Sequence, residues 1–390
     1  MTEKLKVEHL TKIFGRRIQK AQELLNEGKS KAEILNAVGA TVGVNNASFT
    51  VNDGEIFVIM GLSGSGKSTI IRMINRLIEP TSGKISIDGD DLTKLDKKEL
   101  LNVRRKKMSM VFQNFALFPN RTIVENTAYG LEIQGVDKDT RIKKAHDALE
   151  LVGLHGYDNQ YPTQLSGGMQ QRVGLARALA NDSQILLMDE AFSALDPLNR
   201  KDMQDELLDL QENLHKTIVF ISHDLNEALR IGDRIMIMKD GEVVQIGTPE
   251  EILTQPADEY VERFIEDVDR TKVLTAANVM IRPNTVNIDK DGPRIAMRRM
   301  LENEISSVYF VNNKREFIGI VDASHVMDLI RQKVTKLDSV VQKDVPTTKP
   351  DTPITTIMEK ISETSIPFAV VDDQKHLLGI IIRGAVLGAI

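Results

Sequence analysis

No cysteine and no tryptophan occur anywhere in the chain. The first absence rules out disulfides, thiolate metal sites and cysteine nucleophiles. The second, with aromatic residues at only 4%, leaves few platforms on which single-stranded bases could stack. Positive charge is not in excess either. The formal net charge of −6 argues against a nucleic-acid partner. No apolar run approaches the roughly 18–20 residues that cross a bilayer. The opening residues, Met1-Thr2-Glu3-Lys4-Leu5, lack the apolar stretch of a signal peptide. The expectation is a cytoplasmic protein that meets a membrane only through a partner or a surface. At 390 residues, 41% apolar and 27% charged, the composition is globular, with room for two or three domains.

What is present is organised around Gly61-Leu62-Ser63-Gly64-Ser65-Gly66-Lys67-Ser68-Thr69. An apolar run, Ile56 to Met60, precedes it, and a helical pattern follows in which Ile70, Ile71, Ile74, Leu77 and Ile78 recur. Strand, glycine loop and helix together make G-x-x-x-x-G-K-[ST] a phosphate cradle. The glycines bring backbone N–H groups close to anionic oxygens, and the helix N-terminus adds to that field. Lys67 can then reach the β- and γ-phosphates of a nucleotide, and the Ser68 hydroxyl can ligate Mg²⁺.

Before this centre, Lys6 to Leu10 reads as a short strand. Between Arg16 and about Val42, Ala21, Leu24 and Leu25, then Ile34, Leu35 and Val38, recur at helical spacing, punctuated by Gly28 and Ser30. This predicts a short helical pair inserted between two strands. Its role stays open between a structural excursion and a contact with a partner.

After the centre, Met108 to Phe112 is a strand leading to Gln113, and a loop with Phe115, Leu117, Phe118 and Pro119 follows. Thr122 to Leu154 carries two helical patterns. Leu165-Ser166-Gly167-Gly168-Met169-Gln170 then opens a further helix, a second anion-seeking N-terminus. One triphosphate site needs only one such loop; one loop in each of two facing subunits would explain both. Ile185 to Met188 is a buried strand pattern that delivers Asp189 and Glu190. Asp189 suits the Mg²⁺ of a phosphate loop, and Glu190 suits the base that orients water for attack. Thr217 to Ile221 runs toward His223, at the sheet edge where α/β proteins present ligand groups.

These stretches resemble, in order and spacing, the nucleotide-binding domain of ABC transporters over roughly residues 4–250. The resemblance implies a P-loop α/β domain with a helical subdomain. It implies that Phe14 stacks on adenine, where Tyr is usual, and that residues 61–69 are the Walker A loop. Gln113 becomes the Q-loop glutamine, touching Mg²⁺ and lying beside the groove for the membrane subunit. Leu165 to Gln170 become the signature motif, acting on the ATP of the opposite subunit. Asp189 is the Walker B aspartate, Glu190 the catalytic glutamate, Asp196 the D-loop aspartate and His223 the switch histidine. The 16–42 insert and the stretch Ala257 to Arg270 are similar to ATPases of glycine betaine/proline betaine uptake systems.

The C-terminal third contains an internal repeat. Ser307 to Val321 matches Pro367 to Ile381, with Gly319 and Gly379 separated by 60 residues. Each unit reads as helix, apolar strand, polar turn, apolar strand, helix. The pattern resembles a tandem CBS pair, a module that often binds adenine nucleotides between its halves. The usual Thr or Ser with Asp three residues on is replaced by Asp322 and His325 in one unit, and by Ile382 and Ala385 in the other. That disfavours ordinary AMP or ATP and leaves a cyclic dinucleotide between modules of two subunits, or no nucleotide. Arg294, Arg298 and Arg299 share one helix pattern, and Arg331, Lys333 and Lys336 lie in the connection. They read either as solvated charge or as a face for anionic lipid, screened by salt.

The expected organisation is an ABC nucleotide-binding domain over 1–250, with a helical insert at about 16–42 and a helical subdomain at about 114–180. A helical linker over 251–278 leads to CBS repeats at 279–337 and 338–390. The expected function is ATP hydrolysis by a homodimer around two ATP, driving osmoprotectant import through a transmembrane permease with an attached or separate substrate-binding protein. The expected place is the cytoplasmic face of the membrane. The competing class, a soluble ABC ATPase acting on nucleic acid or ribosomes, would show two cassettes or a long coiled-coil insert. The motifs also admit import of a different solute, or a role mainly as a nucleotide sensor. Intact Glu190 and His223 speak against the sensor.

Overall fold

The computed structural model describes residues 2–113, 115–266, 271, 273–361, 364 and 366–389. Asn114, where the helical subdomain is expected to begin, and Asp267 to Arg270, the end of the betaine-like stretch, lie outside the described residues. Two compact units divide the chain, residues 1–267 and 268–390.

The first unit runs β1 (Glu3–Phe14), α1 (Ile18–Asn26), α2 (Lys31–Val38), β2 (Thr41–Asn52), β3 (Ile56–Gly61), α3 (Lys67–Ile74), β4 (Ser82–Ile87) and β5 (Asp90–Asp91). It continues α4 (Lys97–Lys106), β6 (Met108–Phe112), α5 (Ile123–Ile133), α6 (Lys138–Leu151), α7 (Gly167–Ala180) and β7 (Ile185–Asp189). It closes with α8 (Pro197–Leu214), β8 (Thr217–Ile221), α9 (Leu225–Ile231), β9 (Arg234–Lys239), β10 (Glu242–Gly247), α10 (Pro249–Thr254) and α11 (Glu259–Ile265).

Local chemistry explains many of these boundaries. Ser30, Asp96, Thr122 and Thr248 each precede a glutamate by three residues, and each pair forms a capping box at the start of α2, α4, α5 or α10. Such a cap contributes about 1 kcal/mol. The apolar runs of β3, β7 and β8 are buried at every position, as strands covered on both faces must be.

A six-stranded sheet, ordered β10-β9-β3-β8-β7-β6, forms the centre. Its strands are parallel apart from β10. Ile59 pairs with Ile221, Ile221 with Asp189, and Asp189 with Phe112. The carboxyl ends of β3, β8, β7 and β6 are therefore level, and the segments that leave them share one edge. A second sheet, β2-β1-β4-β5, packs its apolar face on the same core, with the Phe49 and Phe57 rings stacked at 5.4 Å.

Three expectations need correction. The helix after the phosphate loop ends at Ile74 rather than running to Ile78. Arg76 is left-handed (φ 48°) and its guanidinium donates to the carbonyls of Leu92 and Leu95, which turns the chain away. The first strand is longer than Lys6 to Leu10, because Glu3 to Phe14 pairs with β2 along one edge and β4 along the other. Within 251–278, α11 belongs to the first compact unit, with Val261 and Ile265 buried.

The second unit runs α12 (Ala276–Val279), β11 (Thr285–Asn287), α13 (Pro293–Glu302), β12 (Ser307–Val311), β13 (Phe317–Asp322), α14 (Ala323–Arg331), β14 (Thr347–Thr348), α15 (Ile354–Ile361), β15 (Phe368–Val371), β16 (Leu377–Ile381) and α16 (Arg383–Ala389). Each repeat carries a short leading strand, β11 or β14, parallel to the first hairpin strand, which the repeat pattern did not reveal. The leading segments are also exchanged. Leu274, Ala276 and Val279 pack in the core of the second repeat with Ile354, Phe368 and Ile381. Leu337 packs in the core of the first with Val308 and Phe310, and Val340 and Val341 border it. A third cluster, around Tyr309, Ile320, Val345 and Ala369, joins the two sheets.

Candidate functional site

The phosphate loop leaves β3 at Gly61 and enters α3 at Lys67. Gly66 has φ +104°, and a β-carbon there would lie 2.6 Å from the Gly43 carbonyl oxygen, so only glycine closes the loop. The turn after β9 braces it from behind, with Gly241 N donating to the Ser65 carbonyl at 3.0 Å. Ser65 Oγ is buried without a hydrogen-bond partner, as expected of a loop that awaits acceptor-rich phosphate.

Lys67 folds back on its own loop. Its ammonium donates to the carbonyls of Gly61 (2.8 Å) and Leu62 (3.1 Å). Burial lowers its pKa, while the Glu190 and Asp189 carboxylates pull it up. Ser68 Oγ donates to Asp189 Oδ1 at 3.0 Å, and Arg72 lies 3.7 Å from the other oxygen of that carboxylate.

Glu190 follows β7 in a left-handed conformation, φ 49°, uncommon for a residue with a side chain. Gln113 Nε2, just past β6, donates to Glu190 Oε2 and to Ser193 Oγ, both at 3.1 Å. His223, two residues past β8, places Nδ1 3.8 Å from the same Glu190 oxygen.

A cavity of about 750 Å³ brings Phe14, Ser63, Gly64, Gly66, Lys67, Ser68, Thr69, Glu190 and His223 together. Lys12 lies over the Phe14 ring, 5.1 Å from its centre. Lys31, Thr41 and Asp240 also line the cavity and were not expected there. An Asp-Gly turn between β9 and β10 is a readable signal for Asp240, but its approach to the phosphate loop is not. Leu165 to Gln170 do not line this cavity. They open α7, where Ser166 Oγ accepts from Met169 N at 3.3 Å, and Ser166 and Gly167 face outward. Asp196 is likewise outside it, capping α8 through Asn199 N, and hydrogen bonds from Asn199 lower its pKa.

The loop after Gln113 is tied to α7. Arg177 donates to the carbonyls of Ala116 (2.6 Å) and Phe115 (2.9 Å), both left-handed residues. A second cavity, of about 410 Å³, lies between this loop, β6 and α5, lined among others by Phe112, Phe118, Tyr129 and Ile133.

Mg²⁺ fits the donors present. Ser68 and Asp189 offer hard oxygen atoms 3.0 Å apart, while Gln113 is turned through its Nε2 to Glu190 and Ser193. Among the described residues there is no group of three or more His, Cys, Asp or Glu able to hold a metal; Mg²⁺ at nucleotide sites commonly takes one or two protein oxygens, substrate phosphates and several waters. The arrangement provides a cation, backbone donors, a hard-metal site and a carboxylate for water. Those are the parts that phosphoryl transfer to water needs.

In the second unit, Asp322 caps α14, accepting from Ser324 Oγ (2.6 Å), His325 N (3.0 Å) and His325 Nδ1 (2.7 Å). The hydrogen bond from Ser324, with those from His325, brings its pKa down to about 2. Arg294, Arg298, Lys333 and Lys336 are exposed. Arg299 departs from that face, since its guanidinium donates to the Thr285 carbonyl and lies 3.9 Å from Asp291.

Residues 44–193 match the family model of the ABC transporter, and residues 276–332 and 337–390 each match that of the CBS domain. The glycine betaine/carnitine transport ATP-binding protein GbuA of Listeria monocytogenes is 67% identical over 99% of this chain and 97% of its own length. The glycine betaine transport ATP-binding protein OpuAA of Bacillus subtilis is 60% identical over 99% of this chain and 92% of its own. Among solved structures, a dimeric ATP-binding cassette in a post-hydrolysis state with ADP and Pi matches with a TM-score of 0.54. It is 34% identical and covers 63% of this chain and 98% of that one.

Proposed function

This chain belongs to the ATP-binding proteins of ABC transporters, in their glycine betaine branch, and from that premise we propose that two copies close around two ATP to drive import of a glycine betaine/proline betaine-type quaternary amine. One observation carries the reading. The cavity that gathers Lys67, Ser68, Glu190 and His223 is not lined by Leu165 to Gln170, which fits a site that a second copy completes. The related cassette solved with ADP and Pi is dimeric.

On this reading the N–H groups of residues 63–69 take the phosphates, and Lys67 exchanges the Gly61 and Leu62 carbonyls for phosphate oxygens. Mg²⁺, held through Ser68, Asp189 and Gln113, supplies charge neutralisation when bound. Glu190 orients and polarises the attacking water, and His223 links the γ-phosphate to Glu190. Phe14 stacks on the adenine. Leu165 to Gln170 of the second copy cover the γ-phosphate, and Asp196 belongs to the face that meets that copy. Closure and release are the two states that act on a permease, whose docking site is the groove beside Gln113.

The chain works at the cytoplasmic side of the membrane through that permease, with an attached or separate substrate-binding protein. The CBS module gates hydrolysis. Asp322 already caps its own helix, which disfavours ordinary AMP or ATP there and leaves a cyclic dinucleotide between modules of two subunits, or no nucleotide. Arg294, Arg298, Lys333 and Lys336 form a face for anionic lipid, screened by salt; Arg299 does not join it. Co-purification with the permease tests the central reading. Glycine betaine or proline betaine, presented with the binding protein, should stimulate ATP hydrolysis where an unrelated solute does not. Equal rates with all solutes would overturn the substrate assignment.

A further inference from the structure

Nothing in phosphoryl transfer calls for the helical pair between Phe14 and Thr41. The pair has its own small core, with Ala21 and Ile34 packed on Ile13, Ala40 and Val42. A capping box fixes the start of α2: Glu33 accepts from both Ser30 N and Ser30 Oγ at 2.8 Å. That sets Lys31 at the first helical position, and its side chain runs along the wall of the nucleotide cavity with Phe14, Gly43 and Asp240.

The end of that side chain lies over Gly241. A β-carbon at 241 would stand 2.9 Å from Lys31 Nζ and 3.1 Å from Cε, so the glycine leaves the room that the lysine occupies. Burial lowers the Lys31 pKa, with the Asp240 and Glu242 carboxylates opposing. Among the described residues the Lys31 ammonium makes no hydrogen bond and no ion pair within 4.0 Å. Glu33, the nearest acid in sequence, is engaged by Ser30 and lies 3.6 Å from Lys29. A half-buried ammonium without a protein partner keeps its three donors available to an acceptor on a ligand.

We propose that Lys31 is a nucleotide-binding residue that donates to the base-and-ribose end of ATP, and that the inserted helical pair serves to deliver it. This rests on the ATP site proposed above. The phosphate end already has Lys67 and the loop N–H groups. Lys31 Nζ and the Gly43 carbonyl both flank Gly241, and a β-carbon at Gly43 would stand 2.6 Å from the Phe14 ring. Gly43 thus links the ammonium to the ring on which a purine would stack, presenting ring nitrogens and ribose oxygens as acceptors. Asp240, beside it, is an acceptor for an amino or hydroxyl group on the same ligand.

Calorimetric titration of the full chain with ATP, ADP and inorganic tripolyphosphate tests this. Lys31→Ala should weaken ATP and ADP alike by about tenfold and leave tripolyphosphate binding unchanged. Lys31→Arg should retain most of the affinity, and its thermal melt should match the wild type. Unchanged ATP affinity in Lys31→Ala, or an equal loss for tripolyphosphate, overturns the proposal. Lys67→Ala separates the two levels. It should lose ATP and tripolyphosphate together, and if it loses neither, the ATP site itself is wrongly placed.

Discussion

His223 Nδ1 stands 3.8 Å from Glu190 Oε2, the same oxygen that Gln113 Nε2 reaches at 3.1 Å. Three strand ends, those of β8, β7 and β6, thus converge on one carboxylate oxygen. A change at any of the three is felt at the atom proposed to orient water.

Glu190→Gln keeps the shape of the side chain and removes its charge. ATP hydrolysis should fall by at least about 100-fold, while ATP binding persists and light scattering shows a long-lived dimer. Turnover near that of the wild type would remove Glu190 from the proposed role.

Ser68→Ala deletes the hydroxyl that donates to Asp189. The Mg²⁺ concentration for half-maximal hydrolysis should rise about tenfold, with metal-free ATP binding little changed. An unaltered Mg²⁺ dependence would place Ser68 outside the ion's shell.

Glu206, on α8, accepts from Arg172 at 2.6 Å, and Arg172 also donates to the Val152 carbonyl at the end of α6. Burial pushes Glu206 up to about 7, with Arg172 opposing and Asp209 and Asp202 adding to the rise. Glu150 of α6 borders the same cleft. Because the folded value is raised above the ordinary carboxylate value, the associated stability is fully present below pH 4.5 and is lost as pH rises through about 7. The wild type should lose roughly 1–3 kcal/mol across that window, and Glu206→Gln should not. Parallel urea-unfolding profiles for the two at pH 5 and pH 8 would sink the assignment.

Leu337 is fully buried, in the core of the first CBS repeat, although it lies at the lead of the second. Leu337→Ala should destabilise the module by about 2–5 kcal/mol. Calorimetry should show the module's transition moving down while that of the nucleotide-binding unit stays. A shift in the latter alone would contradict the packing described.

The phosphate loop was legible because strand, glycines, lysine and helix are local in sequence. Asp189, Glu190 and His223 were legible because buried apolar runs point to the edge where they emerge. Lys31 and Asp240 were not. Their arrival at the cavity depends on the β9–β10 turn reaching the loop through Gly241 N and the Ser65 carbonyl, which no spacing records. β11 and β14 have three and two residues, too few for an alternation to register. The pattern through Ile78 overstated α3, because long-range hydrogen bonds from Arg76 outweighed local periodicity.

The exchanged segments of the CBS module have a consequence for cutting the chain. A scission between Arg331 and Leu337, where the sequence divides neatly into two similar halves, would rob the first hydrophobic centre of Leu337 while leaving the second dependent on Leu274 from the other fragment. Neither piece would be whole. The module should melt as one body and resist being halved by protease or by gene truncation, because each hydrophobic centre is completed by a segment from the other half.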